Sequence, residues 1–216
     1  MDEDFTLVAV IAGIIIVFIV FIVWMKSRGR RRVVDAITPV QEALKLTPYI
    51  GGHPQLDTVW YAVRGQVSGL PIKIFGGKSR GSRNPRLFRG KSAIPTAVDS
   101  AHVMIVVSMP NTIPFQISIQ RKSALSSPSF GTSYPEFDHI VQVATENEKK
   151  ALTLLNNEQL RAAIIAFMKI STAQAFITSS EVMIKIFGGK QVLTAANEAV
   201  NVANILGQQV AGMSMI

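Results

Sequence analysis

Hydrophobic positions along the chain fall into three regimes. From Phe5 to Met25 they run unbroken, FTLVAVIAGIIIVFIVFIVWM, 21 residues without a charge. As a helix this run extends about 31 Å, against about 30 Å for the hydrocarbon core of a bilayer. It therefore predicts a single transmembrane helix over 5–25. A cleaved secretory leader is the competing reading, but it requires a basic start and a small-residue cleavage pair. Here the run is preceded by Asp2, Glu3 and Asp4 and ends in Trp24-Met25-Lys26.

The second regime is alternation. TVWYAVRGQVSGLPIKIF carries β-branched and aromatic residues on both sides of Ser68-Gly69, the pattern of a hairpin. SAHVMIVVSM and PFQISIQRK look like a second antiparallel pair, and FDHIVQVA like a further strand. In PFQISIQRK, Phe115, Ile117 and Ile119 alternate with Gln116, Ser118 and Gln120, so one face is expected to be buried and the other wet. ISTAQAFITSSEVMIKIF reads as two short strands around Thr178-Ser179-Ser180.

The third regime is helical spacing. Thr38 as N-cap with Pro39 at the first helical position predicts a short amphipathic helix through Val40, Ala43, Leu44 and Thr47. Thr145 begins a helical region with Leu152, Leu155, Leu160, Ile164 and Phe167 as apolar contacts, broken in two at Asn156-Asn157. A final helix presents Val192, Ala195, Ala199, Val202, Ile205 and Leu206 on one face. Together these predict an α+β fold, an antiparallel sheet covered by helices on one side.

The heptapeptide IKIFGGK occurs twice, at Ile72–Lys78 and Ile184–Lys190. Each copy reads as the end of a second hairpin strand followed by a Gly-Gly turn. Either an internal duplication has left two pseudo-equivalent hairpins, or two strand ends are similar by coincidence.

Charge changes the picture locally. The chain has 22 Lys plus Arg against 14 Asp plus Glu, a formal net charge of +8. Five basic residues, Lys26, Arg28, Arg30, Arg31 and Arg32, follow the apolar run, and six more, Lys78, Arg80, Arg83, Arg86, Arg89 and Lys91, lie in GGKSRGSRNPRLFRGKS. With these eleven and the three leading acids set aside, eleven residues of each sign remain. The excess thus belongs to two patches and not to a uniformly basic surface of the nucleic-acid-binding kind.

The first patch sets orientation, because basic residues flanking a span stay on the cytoplasmic side. Residues 1–4 are expected outside, 26–34 form a basic juxtamembrane segment, and 35–216 form a cytoplasmic domain at the inner membrane. Trp24 sits where an interfacial aromatic rests, and Ala9 and Gly13 form a small-xxx-small pair that lets another helix approach. The second patch, rich in Gly, Ser and Pro, reads as a basic loop over 77–92 that is simply solvated or that contacts anionic headgroups or an acidic partner. Phe88 is its one aromatic residue, which disfavours nucleic acid.

No recognisable chemistry emerges. The absence of cysteine excludes disulfides, thiolate metal sites and cysteine nucleophiles. GGKS at Gly76–Ser79 lacks the earlier glycine of a phosphate loop, since Ile72 stands there. His53, His102 and His139 each have an acid nearby, Asp57, Asp99 and Asp138, without the spacing of a metal motif. No catalytic residue, metal or cofactor is expected, and an enzyme would have to gather His102 or His139 with Asp99 or Asp138 in space.

The order of parts, one N-terminal span, hairpins, then FDHIVQVATENEKKALTLLNNEQLRAAI, resembles a loose set of uncharacterised bacterial membrane-anchored α+β proteins. The resemblance covers about 57–206 in layout, and its short motifs imply packing: Phe137 and Leu154-Leu155 as core, Asp138 as a turn or cap. The basic loop is a departure from it. The expected function is a non-enzymatic, single-span accessory or scaffold subunit of a larger integral membrane complex, a respiratory or photosynthetic assembly being one setting. The alternatives are a cytoplasmic-face module binding anionic headgroups or an acidic peptide and, third, an enzyme with an unrecognised site.

Overall fold

The computed structural model describes residues 2–79, 100–122, 130–170, 173–187 and 191–213, the side chains of 2–12, 22, 25, 26, 79, 100, 173, 187, 212 and 213 lying outside that description. The elements run α1 (Asp2–Ala43), β1 (Thr47–Pro48), β2 (Thr58–Val67), β3 (Leu70–Ser79), β4 (Ser100–Ser108), β5 (Ile117–Arg121), α2 (Pro135–Ile140), β6 (Val141–Thr145), α3 (Glu148–Leu155), α4 (Glu158–Met168), β7 (Ala173–Ile177), β8 (Glu181–Phe187) and α5 (Val192–Met213). All eight described strands join one antiparallel sheet in the order β1-β2-β3-β4-β8-β7-β5-β6. The fold is α+β, as the patterning requires.

Period-2 alternation sends Ile72, Ile74, Val103, Ile105, Ile184 and Ile186 to one face, all at most 1% exposed. That face meets the helices: Val33, Ile37 and Val40 of α1, Leu160, Ile164 and Phe167 of α4, and the small stripe Ala195, Ala199 and Ala203 of α5. Burying each of the larger side chains stabilises the fold by roughly 1.5–3 kcal/mol. The opposite face carries a smaller cluster, Phe75, Met104, Val106 and Met183 with Leu56 and Ala62. Over it lies the 49–57 segment, with the rings of Tyr49 and His53 centred 5.8 and 5.3 Å from that of Phe75.

Several sequence expectations are corrected. The short helix beginning at Thr38-Pro39 does not exist as a separate element, because α1 runs through both residues. The hydroxyl of Thr38 turns back to donate to the Val34 carbonyl at 2.9 Å instead of capping, and Pro39 is carried inside the helix by the buried neighbours Ile37 and Val40. The expected boundary at residue 34 between a juxtamembrane segment and the domain is therefore also absent as a break in structure. The helix ends where Leu46 donates to the Gln41 carbonyl across a left-handed Lys45.

The Gly-Gly of the first IKIFGGK copy is not a turn. Gly76 and Gly77 lie within β3, opposite Val103 and His102. Strands β4 and β5 do not pair with each other: β4 is enclosed by β3 and β8, and β5 by β7 and β6. FDHIVQVA is half helix, since Pro135 opens α2 and only Val141 onward is strand. The helical region after Thr145 is capped by Asn147, whose side chain accepts from the Lys150 N–H, and Asn157 caps α4 in the same way. The β2–β3 and β7–β8 hairpins and the final helix lie where expected. Both copies of Ile-Lys-Ile flank β4, offset by two residues, so that Ile74 and Ile184 both face Ile105.

The transmembrane expectation over 5–25 does not gain support here: among the described residues no helix is long and apolar enough to cross a membrane. The described side chains of that run are Gly13–Phe21, Val23 and Trp24, and its large apolar ones are 50–69% exposed, projecting from the sheet domain as an arm.

Gly76 and Gly77 give a direct test of this packing. A Cβ at Gly76 would stand 2.0 Å from Val33 Cγ1 and 2.7 Å from Ile37 Cδ1, and one at Gly77 2.1 Å from the Thr58 carbonyl oxygen. Gly76→Ala is expected to destabilise by about 1–3 kcal/mol, and Gly77→Ala by at least as much because backbone must move. Gly52→Ala, with nothing within 4 Å, is expected to change little. Urea midpoints of the three variants check this ordering.

Candidate functional site

The site is built where the arm meets the sheet. Strand β3 can receive α1 directly because Gly76 presents no side chain on the helix-facing side, so Val33 and Ile37 settle onto its backbone. Gly77, on the other side, admits the backbone of Thr58 and Val59 where β2 shifts register. One turn before Val33, Gly29 faces the domain, with Trp60 and Ala101 within 4 Å of its would-be Cβ. These contacts fix which end of the sheet lies toward the arm: the start of β2, the end of β3 and the start of β4.

Register carries this rim across the sheet. Gly76 is opposite Val103, Val103 opposite Ile186, and Ile186 opposite Ala173. Gln174 pairs with Gln120, so Arg121 falls in the same transverse row, opposite Val141. On or beside the rim lie exposed Arg28, Arg30, Arg31 and Arg32 of α1, half-buried Lys78, and exposed Arg121, Lys122 and Lys169. The acids nearby are Asp35, Asp57, Glu136 and Asp138, of which Asp138 is engaged by the Thr132 N–H at 2.9 Å and hydroxyl at 2.7 Å. Toward the opposite end lie Glu42, Glu146, Glu148 and Glu181 against Lys45, Lys149 and Lys150.

Of the residues singled out from sequence, Trp24, Arg28, Arg30, Arg31 and Arg32 are exposed on one continuous helix, and the Arg28 guanidinium sits 4.9 Å over the Trp24 ring. Lys78 lies on the same rim. The side chains of Lys26 and Ala9 lie outside the described residues, as do Arg80, Arg83, Arg86, Arg89 and Lys91, although the chain leaves the sheet at Ser79 and re-enters at Ser100 on this rim. Nothing lies within 4 Å of a would-be Cβ at Gly13, which leaves a notch flanked by Ile14, Val17, Phe18 and Phe21.

The sheet's other face holds a polar row that sequence reasoning missed. Met104, Lys185, Gln174, Gln120 and Gln142 stand opposite one another on successive strands, and Gln120 Nε2 donates to Gln142 Oε1 at 2.7 Å. Lys185 and Gln142 are buried, although none of the described helices packs on this face. Burial lowers the Lys185 pKa from its ordinary value. Buried His102 is pushed down to about 4, first by burial and then by the charge of Lys185. Burial, and then Lys73, lowers His53 as well. Strand alternation marked these positions as one face, but nothing in the sequence showed that Lys185 and Gln142 would be buried on it.

The structure does not bring His102 and His139 together. His102 is buried in β4, whereas His139 is exposed on α2, which leads into β6, four strand spacings or about 19 Å across the sheet. Asp99 lies outside the described residues. Among the described residues no group of three or more His, Asp or Glu could hold a metal. A shallow groove of about 520 Å³ lies between α2 and α4, lined by Tyr134, Phe137, Arg161, Ala162 and Ile165, with the Arg161 guanidinium 3.5 Å over the Tyr134 ring.

No family model matches the chain, and no curated protein does. Among solved structures, the chain is similar to the crystal structure of the mycobacterial trehalose monomycolate transport factor A, TtfA, with 10% identity and a TM-score of 0.49 over 84% of this chain and 93% of that one.

The state of His102 has a measurable consequence. Its folded pKa of about 4 lies below the ordinary 6.5, so the unfolded chain binds the extra proton first as pH falls. Its contribution to stability is full above pH 6.5 and is lost progressively down to about 4, on the order of 3 kcal/mol in all. His102→Met is expected to flatten the pH dependence of the unfolding midpoint in that window.

Proposed function

We propose that this protein is a non-enzymatic, single-span accessory or scaffold subunit of a larger membrane assembly, holding its α+β domain against the cytoplasmic face. The observation that carries this reading is the continuity of α1. The same helix bears the apolar run, the basic turn after it and the buried residues Val33, Ile37 and Val40. A helix that spans a bilayer at one end and seats in a core at the other leaves no flexible linker between them. From Trp24 to Val33 is nine residues, or about 14 Å of helix, so the rim stands close to the headgroup layer.

Two further features fit. The notch at Gly13 offers a neighbouring helix the close approach that drives association in lipid. The basic residues after the span would be retained on the cytoplasmic side. A second reading, a module for anionic headgroups, is favoured by the basic rim and by the attachment of the basic 80–99 segment to it at both ends.

Two outcomes check the proposal. The full chain is expected to remain with membranes through alkaline carbonate extraction, and release into the supernatant would contradict the span. Purified from its native membrane in mild detergent, it is expected to co-migrate with a defined larger assembly on native gels. Migration alone would contradict the subunit role and favour the headgroup module.

A further inference from the structure

The C-terminal end of α5 is held differently from the rest of that helix. From Val192 to Leu206 the helix is fixed by burial, with Ala195, Ala196, Ala199, Ala203 and Leu206 all 0% exposed. After Gly207 no described side chain is buried: Gln208 and Ala211 are exposed, Gln209 and Val210 half-buried. Local propensity does not hold these turns either. Gly207 is a poor helix former at their start, and no basic residue lies in the last turn to complement the helix dipole.

Contacts to segments remote in sequence hold them instead. A Cβ on Gly207 would stand 2.4 Å from Pro110 Cγ and 2.9 Å from Pro110 Cδ, so the proline ring fills the space a side chain would take. Beside it, Asn111 Nδ2 donates to the Gly207 carbonyl at 2.8 Å. Gln209 Nε2 donates to the carbonyls of Leu154 at 3.1 Å and Thr153 at 3.3 Å, which belong to the last turn of α3, where a helix cannot satisfy its own acceptors. Pro110 and Asn111 lie on the connection from β4 to β5. That connection is itself tied to the β7–β8 turn, Met109 N–H donating to the Ser180 carbonyl and Ile113 N–H to the Ser179 carbonyl, both at 2.8 Å.

We propose that α5 from Gly207 onward is a releasable strap, which ties the β4–β5 connection to the end of α3 and opens as one unit while the sheet stays folded. A segment held at the surface by side-chain amides, with little apolar burial of its own, belongs to the low-stability end of a fold. Gly207 and Gln209 lie within one helical turn, so the backbone cannot unwind at one anchor and stay helical at the other. Opening also returns Gln209 Oε1 to water, an atom that is buried without a hydrogen-bond partner while the strap is closed. Release thus recovers part of what it costs.

Hydrogen exchange of the full chain in mild detergent, read by mass spectrometry, tests the strap. Amides of 207–213 are expected to exchange faster than those of 195–205 and of β4. The anchors are expected to respond to each other across the strap. Asn111→Ala speeds exchange at Asn156 and Asn157, at the end of α3, and Gln209→Ala speeds it at Ile113, each by about fivefold, the worth of one net hydrogen bond. Gly207→Ala is expected to produce both effects. Pro110→Ala in the same chain is expected to reverse them, because it removes Cγ and Cδ and leaves only a Cβ 3.9 Å away.

Faster exchange confined to the anchor that was altered would make these separate contacts and overturn the strap. Exchange of 207–213 in step with 195–205 and β4 in the unsubstituted chain would overturn it too, since the segment would then open only with the whole fold. Should Gly207→Ala fail to fold, as judged by its circular dichroism, Asn111→Ala and Gln209→Ala, which add no bulk, decide the matter.

Discussion

The rest of the structure depends on the seating of α1 on the backbone of Gly76. A helix can lie this close to a strand only where the strand has no Cβ, and the next residue, Gly77, is bare for an independent reason, the approach of Thr58 from the other side. Because Val33 and Ile37 are pinned there, the helix direction is fixed relative to the sheet, and Gly29, Trp60 and Ala101 define the end from which the arm emerges. The end of the sheet that forms the rim follows from that direction. A side chain at Gly76 would therefore change where the arm points before it changed what the core contains.

Electrostatics then acts on an already oriented body. The basic residues of α1 lie on the segment between the exposed apolar arm and the buried core. Lys78 and Arg121 lie in one transverse row of the sheet through strand register, although their strands are far apart in sequence. Inside the sheet's second face the opposite logic holds. There Lys185 and His102 lose water, and burial pushes His102 down to about 4, making the neutral imidazole part of what keeps the domain folded above mildly acidic pH.

Much of the fold was legible in the sequence where the local signals were strong. Ser68-Gly69 marked a hairpin and Asn156-Asn157 a break between helices, whereas the alternation in ISIQ marked a strand but not its burial, since Ser118 on the expected wet face is buried. The failures share a cause: tertiary packing overrode a local signal. Thr38-Pro39 is a good helix start in isolation, but the buried neighbours Ile37 and Val40 hold it inside α1. Gly-Gly reads as a turn, yet here it serves close packing on both faces of a strand. The pairing of β4 with β8, across more than seventy residues, has no local signature at all. Of the candidate site, only the charges contiguous with the arm could be read without the structure.

One unbroken helix through Pro39 joins the arm to the sheet domain. Spin labels on Arg28→Cys and Glu42→Cys, both exposed, measure it directly by the distance distribution between them. An unbroken helix gives a single narrow distribution near 21 Å between the backbone positions. A broad or shortened distribution would show a hinge between residues 28 and 42, and the arm would not be held at a fixed angle to the sheet.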